Sequence, residues 1–90
     1  QAVWNPASGN AIADVPLASA EDLDEALAAA DRGFRSWRGT PVDTRAAALR
    51  RGAALMRERA ETIATLLTTD QGKPIGEARG EVEASAAMFD

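Results

Sequence analysis

The feature that most limits the folds open to this chain is the stretch from Asp43 to Asp70. Leu49, Ala53, Met56, Ala60, Ile63 and Leu67 recur there at alternating intervals of four and three, while Arg50, Arg51, Arg57, Glu58 and Glu61 take the other side. This is the pattern of an amphipathic helix. It would be about 39 Å long if straight from Thr44 to Thr69. Between Arg57 and Ala60 the apolar stripe thins and charges cluster, and Glu61 would suit a fresh first turn, so the helix is open to a break there. Asp43 or Thr44 is expected to cap its start, and Gly72 offers the left-handed residue that ends it.

The remaining elements lead up to this helix or follow it. Val3-Trp4 and Ala11 to Val15 flank the turn-forming run Asn5 to Asn10, which predicts a β-hairpin with Gly9 at positive φ and Pro16 ending the pairing. A two-stranded ribbon is marginal alone, so it must lie on something else. Ser19 is placed to cap a first helix, with Glu21 and Asp22 in its positive first turn. Its expected buried stripe is Leu23, Ala26, Leu27, Ala30 and Phe34, with Trp37 one turn on and Gly39 and Pro41 stopping it. The short link Gly39 to Val42 predicts antiparallel packing on the organising helix. Pro74 suits the first turn of a third helix, where Ile75, Ala78, Val82, Ala86 and Phe89 share a side and Glu77, Glu81 and Glu83 fill the rest. Gly76, Gly80 and Ala84 form a small-residue row that would admit a neighbouring backbone. The expected architecture is mainly α, three helices with the second open to a break, preceded by a β-hairpin.

Hydrophobic residues make up 46% of the chain, but 21 of them are alanines, each of which removes little apolar area from water. Ninety residues allow one domain at most, and ordering each costs roughly 1 to 2 kcal/mol of backbone entropy. Partner surfaces are therefore expected, either more of the same polypeptide or other copies. The net charge of −4, without a basic run, argues against nucleic acid. No apolar run suits a membrane span and no secretory leader is visible, so a soluble cytoplasmic protein is expected. Cysteine and histidine are both absent, so a cysteine nucleophile, a histidine base and the usual zinc ligands are missing from these residues. Ala87-Met88-Phe89-Asp90 has no helix-finishing residue, and the end is read as a boundary inside a longer chain.

Three motifs have competing readings. Gly72-Lys73 lacks the earlier glycine and the following Ser or Thr of a phosphate loop, since Leu67 and Pro74 hold those positions, and reads as a helix stop with Lys73 in solvent. Glu77 and Glu81 share a face at i, i+4 and could hold a cation or, if buried, work as acid and base, although surface charge is the simpler reading. Trp4 and Trp37 read as packing anchors rather than ligand platforms.

Taken together, several segments resemble one known family. These are Asn5-Pro6-Ala7-Ser8-Gly9 with Ala11 to Pro16, then Ala26 to Arg38, Arg45 to Met56, and Thr69-Asp70-Gln71-Gly72-Lys73-Pro74-Ile75-Gly76-Glu77-Ala78 with Gly80-Glu81. Their order and spacing resemble the N-terminal part of the NAD(P)-dependent aldehyde dehydrogenase superfamily, with succinate-semialdehyde dehydrogenases nearest in flavour. The resemblance implies an α/β fold for the intact protein, with residues 1–90 forming the N-terminal part of its cofactor-binding domain. It also implies NAD or NADP as cofactor, an aldehyde substrate and a homo-oligomer. The catalytic cysteine and glutamate of the family lie far downstream, so this stretch is expected to be structural, without catalytic or cofactor-binding residues and with no cofactor bound to it alone. One carry-over concerns a structural monovalent cation, whose ligands would match the Val3 carbonyl and Glu81. The competing reading is a stand-alone helical interaction module that pairs through its alanine-rich faces.

Overall fold

The computed structural model describes residues 1–90. Asn5 sets the first turn, its side-chain oxygen accepting the amides of Ala7 at 2.9 Å and Ser8 at 3.3 Å. Gly9 takes φ 73°, as expected for a residue without a Cβ. Strands β1 (Ala2–Trp4) and β2 (Ala11–Asp14) therefore pair antiparallel, Val3 opposite Ala13, with an irregularity between Val3 and Trp4 that sets Trp4 opposite Ala11.

Helix α1 (Ala20–Arg38) opens on a reciprocal cap. The Ser19 hydroxyl accepts the Asp22 amide at 3.1 Å, and the Asp22 carboxylate accepts the Ser19 amide at 2.8 Å. The organising stretch forms two helices, α2 (Val42–Glu58) and α3 (Ala60–Gln71), and with α4 (Ile75–Ala87) the count is four where three were expected. The break falls within the charged segment, at Arg59, whose φ of −101° and ψ of 14° leave the helical region. It forgoes little hydrogen bonding, because the Arg59 amide still reaches the Leu55 carbonyl and the Ile63 amide still reaches the Arg59 carbonyl, both at 3.0 Å.

Helix starts differ from expectation in one respect. Pro41 and Pro74 stand just outside α2 and α4 as the capping residues, at extended ψ of 144° and 141°. Their carbonyls accept the first intrahelical amides, from Arg45 and from Ala78, both at 3.1 Å. Asp43 and Thr44 consequently lie inside the first turn and cap nothing. Gly72 ends α3 as expected, at φ 77°, its amide bonded to the Thr68 carbonyl at 2.8 Å.

Packing centres on α4, which lies against both α2 and α3. The buried residues are Ala53, Ala64, Ala78, Val82 and Ala86, with Ala60, Ile63, Leu67 and Ile75 packed partly over them. Of the α4 stripe read from spacing, Ala78, Val82 and Ala86 turn inward and Ile75 packs partly over them, while Phe89 stays exposed. The row Gly76, Gly80, Ala84 does not receive a neighbour, since nothing lies within 4 Å of a Cβ built on either glycine.

Three further expectations fail for one reason. Helix α1 buries no residue, and Leu23, Leu27 and Phe34 stay 58%, 61% and 61% exposed. It does not fold back on α2, and Trp4 and Trp37 are exposed rather than anchored. Periodicity identifies which side of a helix is apolar, but coverage needs facing mass, and α4 already takes up the inward side of α2. The radius of gyration is 17.2 Å, against about 12 Å for a compact chain of this length. The accessible surface is 6852 Å², some 1,800 Å² above the roughly 5,000 Å² expected for a folded monomer of this mass.

Candidate functional site

Two places carry the features that sequence reading singled out. The first is a groove where the hairpin faces α3. Val3, Ile12, Ala13 and Val15 form one side and Ile63, Leu66 and Leu67 the other, with Thr69 and Asp70 completing a cavity of about 450 Å³. The helical spacing of Ile63 and Leu67 puts them on one face of α3, and Val3 stands opposite Ala13 in the hairpin. Gly72 lets the hairpin approach the end of α3, because a Cβ there would stand 2.8 Å from Pro6 Cγ. The groove can receive apolar side chains. It does not fit a dinucleotide, since its only charged residue is Asp70 and no cation or glycine-rich loop lines it.

The second place is the polar flank of α4. Arg57 on α2 donates from Nε to both Glu83 oxygens at 3.0 and 3.2 Å and from Nη2 to Asp90 at 2.7 Å. Arg79 on α4 donates to Glu61 on α3 at 2.9 and 2.8 Å. These charge-assisted bonds hold the Glu61 carboxyl below its ordinary range through Arg79, and the Asp90 carboxyl below its own through Arg57. Together the Arg57 and Arg79 clamps join the segments on either side of the Arg59 break to α4 and the residues after it. Away from this flank, at the start of α1, the amide and hydroxyl of Ser19 likewise lower the Asp22 carboxyl.

Lys73 is not in solvent: its side chain is only 20% exposed and its ammonium pairs with Glu81. Lys73 is thus the ion-pair partner of Glu81, and no group of three or more His, Cys, Asp or Glu side chains that could hold a metal ion assembles. Val3 belongs to the groove, whereas Glu81 sits on α4 with Lys73 as its partner, and no hydrogen bond or ion pair joins these two positions. Sequence reading missed the interhelical ion pairs. The available signal was weak, consisting of opposite charges on helices whose mutual register no spacing rule supplies.

Residues 1–90, the whole chain, match the sequence profile of the aldehyde dehydrogenase family. The chain belongs to that family. This aldehyde dehydrogenase chain is 44% identical over 86 residues to the NAD(P)+ succinate semialdehyde dehydrogenase Sad of Escherichia coli K12, an alignment covering 96% of the chain and 19% of that enzyme. It is 47% identical over 83 residues to malonate-semialdehyde dehydrogenase 2 of Geobacillus kaustophilus, covering 92% and 17%. A third relative is the 4-(hydroxymethyl)benzenesulfonate dehydrogenase TsaD1 of Comamonas testosteroni, at 46% over 87 residues, covering 97% and 18%. The aldehyde dehydrogenase chain thus spans less than a fifth of the length of these relatives, all of them oxidoreductases. No helix in it is long and apolar enough to cross a membrane.

Proposed function

We propose that residues 1–90 are the N-terminal part of the cofactor-binding domain of a cytoplasmic, homo-oligomeric, NAD(P)-dependent aldehyde dehydrogenase, and that they shape that domain without taking part in its chemistry. The observation that carries this reading is the family match across every residue of the chain. The surplus exposed surface supports it, because the apolar groove and the bare stripe of α1 are surfaces suited to more protein.

The relatives' names support a substrate class for the intact protein. Each of the three acts, by its name, on a compound that carries an acidic group apart from the reacting carbon: a carboxylate in the two semialdehydes and a sulfonate in the third. The intact protein is accordingly assigned an aldehyde carrying a negative charge, with succinate semialdehyde first among the candidates. Oxidation to the carboxylate would use a thiolate that these residues do not contain. The same reading assigns the Val3 carbonyl and Glu81 to a structural monovalent cation site, for which Lys73 is a competitor. Stabilisation of a full-length enzyme by potassium or sodium, lost in Glu81→Gln, would support that assignment.

The decisive experiment compares two proteins. A full-length enzyme containing this segment should reduce NAD+ or NADP+ with succinate semialdehyde, while the ninety-residue chain should neither bind the cofactor by titration nor turn over any aldehyde. Cofactor reduction by the ninety residues alone would refute the structural role. A full-length enzyme indifferent to anionic aldehydes would refute the substrate class.

A further inference from the structure

We draw no further inference here: the strongest candidate, the apolar groove between the hairpin and α3 lined by Val3, Ile12, Ile63 and Leu67, lies open in a chain that spans less than a fifth of its relatives, and nothing in the structure shows what covers it.

Discussion

Replacing Gly72 by alanine tests whether the hairpin is seated on the end of α3. Two costs can be read from the geometry. Gly72 sits at φ 77°, where a side chain costs about 1 to 2 kcal/mol. A Cβ there would also stand 2.8 Å from Pro6 Cγ, closer than real contacts allow, so the proline or the helix end must shift. Forced repacking of that kind costs about 1 to 3 kcal/mol. Gly72→Ala should therefore lose about 2 to 5 kcal/mol in total. Gly9 separates the two terms, since it has nearly the same φ, 73°, but nothing within 4 Å of its missing Cβ. Gly9→Ala should cost only about 1 to 2 kcal/mol. Urea unfolding followed by circular dichroism supplies both values, with constant slope as the check on two-state behaviour. In a Pro6→Ala background the excess for Gly72→Ala should shrink by at least about 1 kcal/mol. If Gly72→Ala costs the same with and without the proline ring, the hairpin does not rest on α3 and the groove between them does not form.

Other consequences can be checked on the same chain. Glu61, Asp90 and Asp22 have carboxyls depressed below their ordinary values of 4.5, 3.8 and 3.8, so their contribution is present above those values and is lost as pH falls through the lower folded ones. The urea midpoint should accordingly hold from neutrality to about pH 5 and fall below pH 4, and Arg79→Gln should reduce the size of that fall. Ser19→Ala removes the cap of α1 and should cost about 1 kcal/mol of local helix stability, seen as faster amide exchange confined to α1. Val82→Ala, at the largest buried side chain, should cost about 2 kcal/mol and loosen α4 from both neighbours.

Much of the local structure was legible because it depends on chemistry within a few residues. Ser19, Gly9 and Gly72 behave as their side chains dictate, and the run Ala78, Val82, Ala86 faces inward as its spacing requires. The helix break also lies where the apolar stripe thins. What spacing could not supply is the identity of the facing surface. The stripe of α1 is more pronounced than that of α4, yet α4 is covered and α1 is not. Lys73 shows the same limit from the polar side. Its partner Glu81 stands eight residues away beyond a proline, a distance set by how α4 leaves α3 and not by any helical repeat. At the candidate site, the pairing of Glu81 with Lys73 was not readable from spacing.

The molecule measures 48 by 35 by 14 Å, scarcely thicker than one helix with its side chains, which is about 10 to 12 Å across. A body that thin has two broad sides and almost nothing between them. Substitutions on either side will be felt chiefly by whatever lies alongside, and tolerance to mutation should track the neighbour's contour more closely than depth beneath the surface.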